Sequence, residues 1–288
     1  MNIYILVNDQ RFLEFTGIER LKQAAEARGH TVEPLMEPLL CFDGKTVLYE
    51  GKELPPIDVI IHRPTFIEEP SLHEHTLSFL EAAGYRVINS FPGVGWSKNK
   101  ISQHRIMTEV GIPLPRFAIT KNPEQAYDAA ERLGFPVVVK VAFGTHGKGV
   151  FFADTSEVFS PIVEYLILRD RNPVLIEEYI SEANRTDLRV FVVGEEVVAT
   201  MKRTAPEGDV RANTSNGGTG SKVELTNEER DLAIHVAKTF QLEIAGIDLI
   251  RSNRGPLVLE INSNPGFEKL ENSTGFDVAG AIIDYVTK

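Results

Sequence analysis

The 288-residue chain is 42% hydrophobic and 25% charged, with a formal net charge of -11 and one cysteine. That length supports two or three units with their own cores, while the acidity disfavours nonspecific binding to nucleic acid or an anionic membrane and points to small ligands. No apolar run approaches the roughly 20 residues of a membrane span, and the opening MNIYILVND lacks a basic n-region and cleavage site, so a cytoplasmic protein is expected, with Cys41 packed rather than reactive.

NIYILV (2–7) is a nearly continuous apolar run, followed by the amphipathic FTGIERLKQAAEARGH with Gly29 as its stop, which reads as strand, loop and helix. DVIIHR (58–63) is a buried strand, SLHEHTLSFLEAAG a helix, and YRVIN a third strand, so a parallel α/β unit is expected over residues 1–95. FPGVGW offers Gly93 and Gly95, but Lys98 stands where a dinucleotide fingerprint needs its third glycine, and that site is rejected. NKISQHRIMTEVGIPLPRFAIT gives a helix, a glycine stop and a proline-bracketed entry into a new strand. A central α+β unit over 96–182 follows, with the helix AYDAAERLG, the buried strand FPVVVKVAF, the loop GTHGKG, the short strand VFFA, the helix SPIVEYLILRD and the strand PVLIEEYI. In the last unit, 183–288, DLRVFVV and EVVATMKR form a hairpin, and TNEERDLAIHVAKTFQ carries a capping box through Thr226 and Glu229. IAGIDLIRS and GPLVLEIN form a second hairpin, and FDVAGAIIDYVTK closes the chain as a helix.

The second hairpin carries the chemistry. Glu260 and Asn262 share one face of a strand, and an antiparallel partner could bring Asp248 beside them. Three hard oxygen ligands suit magnesium or manganese bound with a nucleotide, and no adequate His/Cys cluster suits zinc. KVAFGTHGKGV reads either as a glycine-rich hairpin tip or as a phosphate cradle, in which Lys140 ends a buried strand and Gly144, Gly147 and Gly149 let backbone N–H groups approach phosphate oxygens. His73 and His75 flank Glu74 at helical positions that do not share a face, which argues against a metal pair there. His146 lies inside the phosphate loop, where exposure competes with an ATP contact. Glu177 and Glu178 also read as solvated charge at a strand end. Arg63, at the carboxyl edge of a parallel strand, is placed either to read a substrate carboxylate or to form an ordinary surface salt bridge.

Six stretches in this order, NKISQHRIMTEVGIPLP, PVVVKVAFGTHGKGV, VLIEEYI, DLRVFVVGEEVVATMKR, EGDVRANTSNGGTG and IAGIDLIRSNRGPLVLEINSNPGFEKLENSTGFDVAG, resemble the ATP-grasp ligases, within them the RimK-like amino-acid ligases. The resemblance implies an N-terminal parallel α/β domain, a central lid and a C-terminal domain, with ATP held between the last two. It implies that Lys100 and Lys140 contact ATP phosphates under the glycine loop. Glu177, Glu178, Tyr179 and Ile180 would meet the adenine edge, and Asp187 the ribose hydroxyls. Arg189, Arg203, Arg211 and Asn213 would line the acyl-phosphate cleft, and Asp248, Glu260 and Asn262 would hold two Mg²⁺ or Mn²⁺ ions. RimK itself has Gln-Glu-Tyr-Ile and Asp-Lys where Glu177 and Asn99 stand here.

A carboxylate is a poor acyl donor because oxide cannot leave, so γ-phosphoryl transfer followed by amine attack is the route this residue set suits. The expected activity is ATP-dependent amide formation. Such enzymes add an amino acid, here expected to be L-glutamate, to a carboxyl terminus of a ribosomal protein, a peptide or a small acceptor. Related members act on cofactors or amino-acid biosynthesis intermediates, and homodimers or tetramers are common. The rival readings are a nucleotide-binding regulator without turnover and an enzyme that phosphorylates or carboxylates without forming an amide.

Overall fold

The computed structural model describes residues 1–8, 16–63, 72–143, 149–206 and 218–288, with the backbone alone at 16 and 72–74. The fold is mixed α/β. Strands β1 (Asn2–Val7), β2 (Thr31–Met36), β6 (Val59–His62) and β7 (Val87–Ile88) form a parallel sheet in the order β2-β1-β6-β7, crossed by α1 (Thr16–Glu26) and α2 (Leu72–Ala82). Both faces of β1 are covered: Ile3, Ile5 and Val7 point into one core and Leu6 into another, as a near-continuous apolar strand in a parallel sheet requires. Only Val87 and Ile88 of the YRVIN segment pair.

Between β2 and β6 lies an antiparallel meander of β3 (Leu40–Asp43), β4 (Thr46–Tyr49) and β5 (Lys52–Glu53), for which the sequence reading gave no expectation. It also corrects the placement of Cys41. Leu40 and Phe42 turn toward the core, so strand alternation leaves Cys41 exposed instead of packed.

Helices α3 (Gly93–Lys98) and α4 (Lys100–Glu109) lead to the central sheet, ordered β10-β9-β11-β8, from β8 (Phe117–Thr120), β9 (Val137–Val141), β10 (Val150–Ala153) and β11 (Val174–Glu178). All its pairings are antiparallel. Helices α5 (Pro123–Leu133) and α6 (Ser156–Glu164, continued by a π turn over Tyr165–Arg169) cover it, with a core of its own that includes Val137, Val139, Phe159, Val163, Val174 and Ile176.

The last sheet runs β14-β13-β12-β15-β16 through β12 (Thr186–Val193), β13 (Glu196–Thr204), β14 (Thr219–Lys222), β15 (Ile244–Ser252) and β16 (Gly255–Asn262). Helix α7 (Asn227–Thr239) carries the complete Thr226–Glu229 capping box, and α8 (Glu268–Thr274) and α9 (Val278–Val286) complete the chain. This sheet shares both of its cores with the first one. Leu6, Leu35 and Ile60 pack with Val190, Ile247 and Phe240 on one side, and Ile5, Val59 and Ile61 pack with Phe191, Val193 and Ile283 on the other. Buried Asn89 joins the two sheets: its Nδ2 donates to the carbonyls of Ile244 and Ser263, and its Oδ1 accepts from Ile244 N–H. Among the described residues no helix is long and apolar enough to cross a membrane.

Candidate active site

The site face of the last sheet follows from strand alternation. In β12 the residues Leu188, Val190 and Val192 enter one core, so Asp187 and Arg189 share the opposite face with Phe191 and Val193. Cross-strand register then sets the partners: Asp187 lies opposite Arg203, Arg189 opposite Asp248, Asp248 opposite Glu260, and Gly246 opposite Asn262. The β15–β16 ladder shifts register after Asp248, where Leu249 pairs with Val258 and Leu259 is left as the extra residue. This bulge explains why Val258 and Ile261, three positions apart, both enter the same core while Glu260 and Asn262 face the site. A Cβ at Gly246 would lie 2.7 Å from Pro265 Cβ and 3.0 Å from Arg189 Nη1, so glycine there lets Arg189 lie flat across the row.

Charges on this face alternate. Arg189 donates to both carboxylate oxygens of Asp248, from Nε at 2.5 Å and Nη2 at 3.0 Å. Arg203 donates to both oxygens of Asp187 at 2.6 and 2.7 Å, and its Nη2 also lies 2.8 Å from Asp248 Oδ2. Burial weakens the Arg203 guanidinium's hold on its proton, but Asp248 and Asp187 more than restore it, and its pKa is raised. Glu260, with a side chain still 24% exposed, lies 3.5 Å from Lys100 Nζ and accepts from Asn262 Nδ2 at 3.2 Å. Burial alone would raise its pKa; the fields of Lys100, Lys140 and Arg189 reverse that and hold it at about 2.

The opposite wall is the central sheet. Lys140, on β9, places Nζ 2.5 Å from Glu177 Oε2 on neighbouring β11, and Glu177 Oε1 accepts from His104 Nε2 of α4 at 2.8 Å. Burial raises the Glu177 carboxyl, and Lys140 and His104 overcome it to hold the group at about 2. Gly149, at φ +78°, closes the β9–β10 hairpin where a Cβ would strike Val141 Cγ2 at 2.3 Å. Helix α4 spans both walls. Asn99 caps it by accepting from Ile101 and Ser102 N–H, Lys100 opens it, and Gln103 exchanges hydrogen bonds with Ile261 of β16 in both directions at 3.0 Å.

One family model, the RimK-like ATP-grasp domain, matches residues 97–286 and so covers all of these groups. This chain belongs to the RimK-like ATP-grasp family. It is 39% identical over 285 residues to "Probable alpha-L-glutamate ligase 2" of Shewanella sp. (strain MR-4), covering 96% of this chain and 93% of that relative. Its fold matches a RimK domain ATP-grasp protein from Sphaerobacter thermophilus at a TM-score of 0.79 and 19% identity, over 100% of both chains. It also matches the ATP-grasp ligase PsnB, solved with a phosphomimetic variant of its minimal precursor, Mg and ADP, at a TM-score of 0.78 and 18% identity over 99% and 97% of the two chains. The protein is an ATP-dependent ligase, and proteins of this ATP-grasp family use ATP with Mg²⁺.

Ion pairs and strand register link Lys100 to Glu260, Glu260 to Asp248, and Asp248 to Arg189 and Arg203, with Asn262 beside Glu260 and Lys140 paired to Glu177. Two carboxylates and an amide on one strand pair are a hard-oxygen set that fits a divalent ion, and among the described residues no group of three or more His, Cys, Asp or Glu is placed to hold a metal. Two expectations need correction. Glu177 and Glu178 are not solvated strand-end charge. Glu177 is 2% exposed with both oxygens committed, and Glu178 accepts from Arg116 N and Nε and pairs with Arg254 at the β15–β16 turn. Among the described residues Arg63 forms no surface salt bridge: it is packed over Phe267, 5.5 Å from the ring centroid, and donates to the Pro265 carbonyl, and burial lowers its pKa. Tyr179 stands edge-on to Phe152 at 5.1 Å, and Ile180 is buried beside Leu257.

Gly144, His146, Gly147, Arg211 and Asn213, and the side chains of His73 and Glu74, lie outside the described residues. The reading of the sequence missed His104 and Gln103. Their signal was present in the spacing, since His104 stands four residues after Lys100 on the same helical face, but nothing local names Glu177 as its partner.

Proposed function

We propose that this ligase forms a carbon–nitrogen bond by adding L-glutamate to a carboxyl terminus through an acyl phosphate. The proposed acceptor is the tail of a ribosomal protein, a peptide or a small carboxylate. The observation that carries this reading is the convergence on Glu260: Lys100 lies 3.5 Å away, and the fields of Lys100, Lys140 and Arg189 all act on its carboxyl. Cations that meet phosphate and oxygens that meet metal therefore share one cleft between the two sheets. The 39% identity to a relative named a glutamate ligase, over nearly the whole chain, supports the choice of amino acid.

In this reading Lys100 and Lys140 hold the triphosphate, with Gly144, Gly147 and Gly149 allowing backbone N–H groups to close over it. The backbone of residues 178–180 reads adenine, since the Glu177 side chain is occupied. Asp248, Glu260 and Asn262 would hold two divalent ions, Mg²⁺ or Mn²⁺, which when bound supply charge neutralisation at the β- and γ-phosphates. Lys100 and Arg189, paired with those carboxylates here, then become available to phosphoryl oxygens. An acceptor carboxylate oxygen attacks the γ-phosphorus and ADP leaves. The amine nitrogen then bonds to the acyl carbon, the C–O bond to phosphate breaks with its electron pair, and the amine proton leaves with the phosphate. Arg189, with Arg211 and Asn213, would face the oxygens on which charge develops, and Arg203 would hold Asp187 and Asp248 in place. Closure of the cleft positions both reactants, an effect worth about 7 to 11 kcal/mol in favourable geometries.

The test is an acceptor screen with labelled glutamate, in which ADP release and product mass are followed together. Incorporation of one glutamyl residue per ADP supports the reading. Tight ATP binding without turnover for any amine and acceptor would favour a regulatory protein, and a phosphorylated or carboxylated product without an amide would make the enzyme a different transferase.

A further inference from the structure

Helix α4 carries a buried connection between the two lysines that the proposed function places on phosphate. Its first residue is tied to the central sheet at once, because Lys100 N–H donates to the Ala142 carbonyl at 2.9 Å. One turn later, His104 Nδ1 lies 2.8 Å from the Lys100 carbonyl and Nε2 lies 2.8 Å from Glu177 Oε1. The other Glu177 oxygen lies 2.5 Å from Lys140 Nζ. The His104 and Glu177 side chains are 1% and 2% exposed, and the edge of Phe117 closes the imidazole off at 4.8 Å between ring centroids. Both ring nitrogens therefore face oxygen atoms, a backbone carbonyl and a carboxylate.

We propose that His104 is a positioning residue that fixes the spacing of Lys100 and Lys140 through the buried carboxylate of Glu177. The chain of contacts runs Lys100 carbonyl, His104, Glu177, Lys140, and it crosses from the helix to the sheet without passing through solvent. A lysine ammonium on a flexible stem has many rotamers, and a fixed carboxylate behind it selects one of them before nucleotide arrives. His104 in turn keeps Glu177 from swinging away with Lys140 when phosphate competes for the ammonium. Gln103, beside it on the helix, is bonded to Ile261 next to Glu260, so the same helix also indexes this pair to the metal-facing strand.

This inference rests on the lysines meeting phosphate, and the experiment separates the two. Affinity for a non-hydrolysable ATP analogue, KM for ATP, kcat and thermal stability are measured for wild type, Lys140→Ala, His104→Gln, His104→Leu and the double variant His104→Leu with Lys140→Ala. His104→Leu should weaken analogue binding and raise KM for ATP about tenfold, with kcat changed less than about threefold, and His104→Gln, which keeps a donor to Glu177, should recover most of the loss. In the Lys140→Ala background the histidine substitution should have no further effect on affinity, because its route is gone. Fully additive losses, or unchanged analogue affinity in a folded His104→Leu protein, would overturn the role of His104. If His104→Leu fails to fold, His104→Asn, whose amide can replace Nδ1 but is too short to replace Nε2 at Glu177, takes its place in the same cycle. Unchanged affinity in Lys140→Ala would instead remove the phosphate contact beneath both.

Discussion

The central sheet and the pair of sheets flanking it in sequence are stabilised in different ways. The central unit closes its own core around Val137, Val139, Phe159 and Ile176, whereas the first and last sheets share two continuous cores and the Asn89 hydrogen bonds. Between the central sheet and the rest, the charged and polar contacts include His104–Glu177 and Glu178–Arg254, beside the apolar contact of Ile180 with Leu257. Apolar interfaces are costly to open, while ion pairs can exchange one partner for a phosphate or a metal. A self-contained core on one side and exchangeable charge at the boundary is the construction the proposed lid would need, with ligand charge replacing protein charge at the proposed site.

The first way to break this comparison is to remove core volume on each side separately. Phe159→Ala and Phe240→Ala each delete a fully buried ring, at an expected cost of about 3 to 5 kcal/mol. Hydrogen exchange should show Phe159→Ala loosening residues 117–178 while the first and last sheets keep their protection, and Phe240→Ala loosening both of those sheets together. Uniform loosening by Phe159→Ala would mean that the central core is not independent.

Substitution on the C-terminal wall comes next. Glu260→Ala should lower turnover at least about 100-fold at every magnesium concentration, because it removes a proposed metal ligand. ADP release against magnesium concentration checks it, and near-normal turnover would remove Glu260 from the site. Lys140→Ala, on the opposite wall, should raise the ATP requirement by about 10- to 100-fold, the worth of a charge-assisted phosphate contact of about 1.5 to 3 kcal/mol. Initial rates across ATP concentrations provide that measurement.

The smallest effect is a titration. The Glu177 and Glu260 carboxyls are held at about 2 against an ordinary 4.5, so between those values the unfolded chain binds protons that the folded chain refuses. Their contribution to stability is therefore complete above about pH 4.5 and is lost as the pH falls toward 2. Chemical denaturation at steps across that window should show a decline that is shallower in Glu177→Gln. An equal slope in the variant would show that Glu177 is not held ionised by its neighbours.

Much of this arrangement was legible in local sequence. The apolar runs at NIYILV and DVIIHR, the Thr226–Glu229 capping box and the two C-terminal hairpins are signals carried by neighbours in the chain, and they form the elements their patterns indicate. Asp248 opposite Glu260 was also within reach, because a short connection fixes which strands pair. The meander at 40–53 was not, since its strands are short and Glu33-Pro34 just before it interrupts the apolar pattern. Nor was the state of the carboxylates. Glu177 resembles any strand-end charge until β9 and α4 bring Lys140 and His104 to it, and Asp187 is like a free ligand until Arg203 arrives from β13.

The sequence by itself determined most of the strands and helices, though not the meander at 40–53, and supplied the oxygen- and ammonium-bearing residues proposed to meet metal and phosphate. Periodicity, caps and turns act over a few residues, and those forces are fully written in the local order of side chains. Only the tertiary structure decided which charges are spent on one another: Glu177 between Lys140 and His104, Asp187 on Arg203, and Glu260 within reach of Lys100. The physical reason is that a buried carboxylate takes its character from partners more than seventy residues away in some cases, as with His104 and Glu177, and only chain packing brings them within 3 Å.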